Sequence, residues 1–235
     1  MKGTEMSQVL MVVTAADSLT LADGSSHPTG FWAEELVELH RGLIAAGHTV
    51  RFATPGGRPA PVDPGSLDLT TPEGAAVGNY LNSLAPELAS PSALADIAVG
   101  DDDAIALPGG HGPMADLAFD RDLGRLLIAS AEAATPVAVL CHGPAGLLSA
   151  VRGDGSFAFA GSRLAVFTDE EELAGGLGAN SPYLVASRLS GLGAVLATGA
   201  PWSSTVVTDG ALVSGQNPQS SVATTSALVD LLARS

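Results

Sequence analysis

The chemistry of this 235-residue chain is expected to centre on its one cysteine, Cys141, which His142 follows directly. The cysteine ends an apolar run, residues 137–140, and Gly143-Pro144 then leads into a segment rich in Ala and Leu. This order predicts a buried strand, a sharp turn and a helix, which is a nucleophile elbow with Cys in place of Ser. Most free cysteines are small buried hydrophobes, but the junction and the adjacent imidazole favour a nucleophile here.

The predicted position of Cys141 also bears on its reactivity. A residue at a strand-to-helix junction lies at the carboxyl edge of the sheet, where open α/β folds bind ligands. It faces the N-terminus of the following helix, whose free N–H groups and positive dipole end stabilise a thiolate. We therefore expect Cys141 at an exposed edge, with a pKa below the roughly 8.5 of a free thiol.

Two further motifs are expected near this edge. The turn Gly109-Gly110-His111-Gly112 follows a predicted strand, residues 103–107, so its N–H groups and that of His142 can form an oxyanion hole. Its spacing matches neither of the phosphate-binding glycine motifs, and double glycines at strand ends are usually simple turns. Glu34 and Glu35 begin the first predicted helix, where acidic residues ordinarily only complement the helix dipole, yet this helix end lies near the elbow.

The elements that must position these residues alternate along the chain. A helix over residues 31–46 is predicted from its apolar face, formed by Leu36, Leu39, Leu43 and Ile44. Residues 63–100 are predicted to be an insertion with a short helix near 85–97, and residues 205–213 a hairpin. Strands alternating with helices predict a single-domain, flavodoxin-like α/β fold over residues 1–235, doubly wound, with a mostly parallel sheet covered on both faces.

Composition narrows the class of partner. The net charge of −15 argues against nucleic-acid or membrane partners, and no segment has the pattern of a signal peptide or a membrane span. A single cysteine excludes an intramolecular disulfide and fits a reducing cytoplasm, which is the predicted location. His27, His40 and His48 are scattered and no histidine pair has ligand spacing, so no catalytic metal is predicted.

Taken together, the chain resembles the ThiJ/PfpI superfamily, which has the class I glutamine amidotransferase-like fold. It is most similar to the branch that holds heat-shock chaperones and glyoxalase III proteins. The blocks that carry the resemblance are TGFWAEE (29–35), TPGGRPAPVDP (54–64), LPGGHG (107–112), CHGP (141–144), FTDEEE (167–172) and SGQNP (214–218).

The resemblance implies a role for each site residue. Cys141 would be the nucleophile, His142 its base and Glu35 the helix glutamate that contacts the cysteine, whereas Glu34 is off the pattern. Glu172 matches the position that orients the histidine, with Glu171 the weaker match, although these residues alone suggest a solvated acidic loop. The oxyanion N–H groups would come from Gly110 and His142, and the substrate pocket from Gly109, His111 and Trp32.

The implied activity is a glutathione-independent glyoxalase that converts methylglyoxal or a related 2-oxoaldehyde to a 2-hydroxy acid through a Cys141 hemithioacetal. No external cofactor would be needed, and the partners would be a small carbonyl substrate and a second copy of the chain in a homodimer. Two alternatives stay open: another cysteine-dependent enzyme (amidase, peptidase, deglycase or hydratase), or a stress chaperone or redox sensor. Ala186 stands where family members often have Glu, a departure that bears on the substrate.

Overall fold

A seven-stranded sheet lies at the centre of the computed structural model, which describes residues 6–175 and 177–234. The strands are β1 (Gln8–Val12), β2 (Ser18–Thr20), β3 (Ser26–Pro28), β4 (Thr49–Thr54), β5 (Ser92–Ala93), β6 (Ala104–Leu107), β7 (Val137–Leu140), β8 (Arg163–Leu164), β9 (Val195–Leu196), β10 (Val206–Asp209) and β11 (Leu212–Gly215). The helices are α1 (Ala33–Ala45), α2 (Pro72–Ser83), α3 (Ala85–Ala89), α4 (Gly112–Ala115), α5 (Arg121–Ala133), α6 (Asp169–Ala174), α7 (Val185–Gly191) and α8 (Ser221–Leu232).

The sheet order is β10-β11-β7-β6-β1-β4-β5, and β10–β11 is its one antiparallel pair in the described ranges. Two small two-stranded sheets, β2–β3 and β8–β9, lie beside it. The predicted α/β class with a mostly parallel, doubly wound sheet is therefore confirmed. That residues 1–235 form one domain stays a prediction, and residues 1–5, 176 and 235 of that range lie outside the described residues.

Both faces of the sheet are covered, as the alternation along β1 shows. Val9 and Met11 pack in one apolar cluster with the buried residues of α1 and α8, whereas Leu10 and Val12 pack in a second cluster with those of α5. Side chains of a strand alternate between its two faces, so a central parallel strand with helices on both sides must be apolar at every position. The helices in the described ranges lack the length and hydropathy needed to cross a bilayer.

The helix and hairpin predictions differ from the structure at their ends. Leu36, Leu39 and Leu43 are buried on α1 as predicted, but Ile44 is 45% exposed because it lies beside that stripe at the end of the helix. The short helix predicted near residues 85–97 is wrong in extent: α3 ends at Ala89 and the chain then adds β5 to the edge of the sheet. The hairpin is confirmed as β10–β11.

The loop before α1 is held against a second loop, which places the first turn of the helix. The Phe31 N–H donates to the Pro61 carbonyl, and the Asp63 N–H donates to the Phe31 carbonyl, each at 2.9 Å. The Thr29 hydroxyl donates to the buried Asp63 carboxylate at 2.8 Å. Two of the sequence blocks, 29–35 and 54–64, thus form one packed unit, and Gly30 allows this close approach.

We expect Gly30→Ala to destabilise the fold, because a Cβ there would lie 2.2 Å from the Pro61 carbonyl oxygen. The free energy of unfolding should fall by about 1–3 kcal/mol, the usual cost of overpacking. Urea denaturation measures this. Gly191→Ala is the control, because its Cβ would meet nothing within 4 Å at the exposed end of α7. Equal stability of Gly30→Ala and wild type would contradict the close packing of these loops.

Candidate active site

Cys141 lies directly after β7 in a conformation typical of a nucleophile elbow. Its φ is +58°, in the left-handed region that residues with a side chain seldom adopt. Its N–H donates to the Gly215 carbonyl at 2.9 Å and its carbonyl accepts the Phe167 N–H at 3.1 Å, so both neighbours hold the turn. The chain then continues as one short 3-10 helix, Gly143–Ser149. The predicted elbow is present.

The expectation of an exposed, acidified thiol is wrong. Cys141 is only 3% exposed, and burial raises the pKa of its thiol well above the ordinary value, an effect that the neighbouring Glu35 carboxyl reinforces. The His142 N–H interacts with the sulfur and opposes this rise without offsetting it. The dipole of one short 3-10 segment is small, whereas removing a thiolate from water is costly.

Glu35 lies in the first turn of α1 and is fully buried, whereas Glu34 is exposed. The Gly109 N–H donates to Glu35 Oε2 at 2.7 Å, and the Cys141 thiol interacts with the same carboxyl. Burial raises the pKa of Glu35 to about 8, despite these two contacts, so the carboxyl carries a proton at neutral pH. The structure therefore brings Glu35, and not Glu34, to the cysteine.

His142 connects the thiol to a carboxylate. Its Nδ1 lies 3.4 Å from Cys141 Sγ, and its Nε2 lies 2.6 Å from Glu172 Oε2, with both side chains buried. We assign the proton to Nε2, where it is donated to the carboxylate, so that the Nδ1 lone pair faces the sulfur. Burial lowers the pKa of His142. Burial acts to raise the pKa of Glu172, but the two imidazoles that face the carboxylate, those of His111 and His142, outweigh it and hold that pKa well below its usual value.

The neighbouring Glu171 has a different place. It forms a capping box with Thr168 at the start of α6, accepts the Trp202 N–H at 2.7 Å, and accepts the Asn217 amide at 2.7 Å. Glu172 therefore contacts the imidazole while Glu171 ties α6 to the loop after β11. The interpretation of these acidic residues as a solvated loop is wrong, because α6 turns both carboxylates into the protein.

The glycine turn lies against the elbow. A Cβ at Gly109 would lie 2.7 Å from the His142 nitrogen and 2.9 Å from Cys141 Cβ, so only glycine allows this contact. The Gly109 carbonyl accepts the Trp32 N–H at 2.9 Å, and the Trp32 side chain is half-buried at the start of α1. Among the hydrogen bonds found in the described ranges, none uses the Gly110 N–H, which leaves it free to bind an oxyanion.

Several contacts at the site were not predicted. Phe167 lies on the His142 ring, with centroids 4.4 Å apart, and Trp202 meets Phe167 edge-on at 5.5 Å. His111 Nε2 lies 3.5 Å from Glu172 Oε1, so two imidazoles share one carboxylate. Phe167 begins the FTDEEE block, so the block itself pointed to this region, whereas no pattern indicates the pairing of His111 with Glu172.

Three of these side chains could hold a metal ion, although the sequence predicted none. One ligand atom each of His111, His142 and Glu172 lies within 4.8 Å of the others. The residues come from three separate segments, so spacing along the chain could not reveal them. Ala186, at the position where family members often have Glu, is buried in α7 and offers no polar group.

The class of this protein is defined by its fold and site: an α/β sheet carries a buried cysteine at a nucleophile elbow, with a carboxylate–imidazole pair beside it. The DJ-1/PfpI family model matches residues 28–158, more than half of the chain. The chain belongs to the DJ-1/PfpI family, which confirms the resemblance stated above.

A curated relative supports the same assignment. The chain is 31% identical over 199 residues to the protein/nucleic acid deglycase HchA of Pseudomonas aeruginosa, covering 79% of this chain and 67% of that one. Across the first curated relatives the chain spans between 50% and 67% of their length.

Two solved structures share the fold over nearly the whole chain. The Rapid Encystment Protein 24 kDa of Francisella tularensis has a TM-score of 0.84 at 25% identity, covering 97% of this chain and 99% of that one. Glyoxalase III of Candida albicans has a TM-score of 0.82 at 24% identity, covering 97% and 98%.

The relatives correct one expectation from composition. The exclusion of nucleic acids as partners is wrong, because the HchA relatives are named protein/nucleic acid deglycases. A net charge of −15 disfavours a groove that follows many backbone phosphates. It does not disfavour an enzyme that reacts with one modified base. The homodimer stays a prediction.

We predict that Glu35→Gln will flatten the dependence of stability on pH. An unfolded chain loses the Glu35 proton near its ordinary pKa of 4.5, whereas the folded protein retains it to about 8. Unfolding therefore releases a proton in this window, and wild-type stability falls as pH rises through it, by at most about 1.4 kcal/mol per unit.

Urea denaturation at pH 5 and pH 8 measures the effect. The stability of Glu35→Gln relative to wild type should rise between these two values. Glu34→Gln, which removes an exposed carboxylate one residue away, should show a much smaller change. Parallel profiles for wild type and Glu35→Gln would mean that the Glu35 carboxyl is ionised in the folded protein.

Proposed function

We propose that the protein is a cysteine-dependent enzyme acting on 2-oxoaldehydes, a glutathione-independent glyoxalase that converts methylglyoxal to lactate. The observation that carries the proposal is the position of Cys141 between the protonated Glu35 carboxyl and the His142–Glu172 pair. A thiol with a base on one side and an acid on the other is equipped to add to an electrophilic carbonyl.

The first step is attack on the aldehyde. His142 Nδ1 accepts the thiol proton as Sγ bonds to the aldehyde carbon, and Glu172 stabilises the imidazolium through Nε2. The developing oxyanion faces the N–H groups of Gly110 and His142 and takes the Glu35 proton to form the hemithioacetal, which leaves Glu35 as a carboxylate. A thiol with a raised pKa needs this coupled transfer, because little thiolate exists before the substrate binds.

The second step moves hydrogen between the two carbons. Glu35, now a carboxylate because its proton went to the hemithioacetal oxygen, accepts the proton of the first carbon while the His142 imidazolium protonates the second oxygen, which gives an enediol. Glu35 then returns the carbon proton to the second carbon, and the hydroxyl proton of the first carbon passes back to His142. The first carbon is oxidised to a thioester and the second is reduced to an alcohol. Water then cleaves the thioester, which releases the 2-hydroxy acid and the free thiol. The cysteine takes the part that a glutathione thiol would otherwise play.

A deglycase activity is the second candidate, favoured by the HchA relatives, which are named for it. In the carbinolamine that methylglyoxal forms with an amine, Cys141 would displace the amine and give the same hemithioacetal. The following steps would be unchanged. Since a nucleobase amine can carry such an adduct, a nucleic acid is a candidate substrate beside proteins.

A substrate panel without added thiol separates these activities. Lactate formed from free methylglyoxal supports the glyoxalase. Amine release from methylglyoxal-treated guanosine or N-acetylarginine that outpaces the spontaneous release of methylglyoxal supports the deglycase. Hydrolysis of amides or peptides would favour an amidase or peptidase, and holdase activity that survives loss of the thiol would favour a chaperone. No lactate and no amine release would overturn the proposal.

We predict that Cys141→Ala abolishes turnover of methylglyoxal, because the reaction then has no nucleophile. Lactate formation under saturating substrate is the measurement. The fold is checked by circular dichroism, since Cys141 is buried and its loss leaves a small cavity. A folded variant with wild-type turnover would remove the cysteine from the mechanism.

Glu35→Gln should lower turnover by roughly 10²-fold or more, the usual scale for a positioned acid–base group. The amide preserves the shape of the side chain but cannot exchange the proton. Glu34→Gln is the matched control and should change turnover little, because its side chain is exposed and points about 100° round the helix from that of Glu35. Sensitivity at Glu34, or none at Glu35, would contradict the assigned roles.

A further inference from the structure

Three potential metal ligands converge beside the cysteine. His111 Nε2 lies 3.5 Å from Glu172 Oε1, and His142 Nε2 lies 2.6 Å from Glu172 Oε2. The imidazole rings of His111 and His142 have centroids 4.3 Å apart. His111 Nε2 is buried without a hydrogen bond of good geometry among the described residues, so this nitrogen has an unused lone pair or proton facing the carboxylate.

This donor set matches a zinc site. Two imidazole nitrogens and one carboxylate, with a fourth position for water, form a common Zn²⁺ environment, with each ligand about 2.0–2.2 Å from the ion. Two ligands of a tetrahedral ion then lie roughly 3.4 Å apart. The 3.5 Å between His111 Nε2 and Glu172 Oε1 is close to this value, whereas the 2.6 Å between His142 Nε2 and Glu172 Oε2 must lengthen so that one carboxylate oxygen can bind the ion.

We propose that His111, His142 and Glu172 bind Zn²⁺ and that the bound ion switches off Cys141. Binding itself does not depend on the proposed reaction, whereas the inhibitory effect rests on it. The ion reaches the site from the side of His111, whose side chain is 18% exposed, while those of His142 and Glu172 are 4% and 6% exposed.

The inhibition follows from the tautomer of His142. Without metal, the imidazole proton lies on Nε2 and is donated to Glu172, so Nδ1 can accept the thiol proton. Zn²⁺ takes the Nε2 lone pair, which forces the ring proton onto Nδ1. An Nδ1–H group facing Sγ at 3.4 Å cannot accept a second proton, and Cys141 loses its base.

The same geometry excludes the thiol as a ligand. Cys141 Sγ lies at Nδ1 of His142, and the two ring nitrogens point to opposite sides, so the sulfur is behind the ring as seen from the ion. The proposed site thus differs from one in which the cysteine sulfur is itself a ligand of the metal. It uses the partners of the catalytic imidazole and leaves the nucleophile chemically intact.

Titration of the 235-residue chain with Co²⁺ and Zn²⁺ tests the binding without substrate. We expect one equivalent to bind, with visible Co²⁺ absorption typical of nitrogen and oxygen ligands and no sulfur charge-transfer band. His111→Asn and Glu172→Gln should each weaken binding by more than the roughly 10–100-fold that the loss of an outer-shell partner costs. His27→Asn, which alters a half-buried neighbour of His111, and Cys141→Ala should bind as wild type.

Turnover provides the second readout. One equivalent of Zn²⁺ should inhibit wild type and a chelator should restore it, while the residual turnover of His111→Asn should be insensitive to the same Zn²⁺. Circular dichroism of each variant shows that it is folded. Wild-type affinity in both His111→Asn and Glu172→Gln, a sulfur band that Cys141→Ala removes, or no binding to wild type would each overturn the proposal. Binding without inhibition of a working enzyme would overturn the switch alone.

Discussion

The central constraint in this protein is that a thiol and a carboxyl are buried side by side. Cys141 and Glu35 together have little access to water, so two negative charges cannot coexist there, and the pKa values of both groups rise. The pair keeps a proton at neutral pH, and the Gly109 N–H holds the carboxyl in place. The elbow, the glycine turn and the first turn of α1 are all arranged around this contact. The thiol is therefore protonated at rest, and in the proposed reaction its ionisation is coupled to attack on the substrate.

On the side of Cys141 that faces His142, the surrounding side chains are polar and are held by hydrogen bonds. Glu172 accepts a hydrogen bond from His142 and has His111 3.5 Å away, while the adjacent Glu171 is bound by Thr168, Trp202 and Asn217. The two neighbouring carboxylates of α6 thus have different contacts. Glu172 faces His142, whereas Glu171 anchors the helix that carries them both. This division explains why so many hydrogen bonds meet at a residue that does not contact the cysteine.

The net charge of the chain excludes fewer kinds of partner than it first suggests. An acidic surface limits binding that depends on many phosphate contacts, but a reaction at one adduct needs only access to a buried thiol. The metal-binding potential of the site was also hidden by composition, because it depends on His111 and Glu172, which lie in different blocks of the sequence.

Local pattern predicted the fold class and the elbow, and the family resemblance carried by the six sequence blocks selected Glu35 over Glu34. The fold class and the elbow follow from short-range rules, namely apolar runs for buried strands, the 3.6-residue period of α1, and Gly and Pro at turns. The six sequence blocks also indicated Glu172 as the residue that orients His142. Because Glu171 is its neighbour, the choice between the two glutamates stayed open until the structure showed the direction in which α6 points each side chain. The burial of Cys141, the raised pKa of its thiol and the shared carboxylate of His111 and His142 were decided only by the tertiary structure. Desolvation and contacts between distant segments depend on how the elements pack, and spacing along the chain carries no record of that.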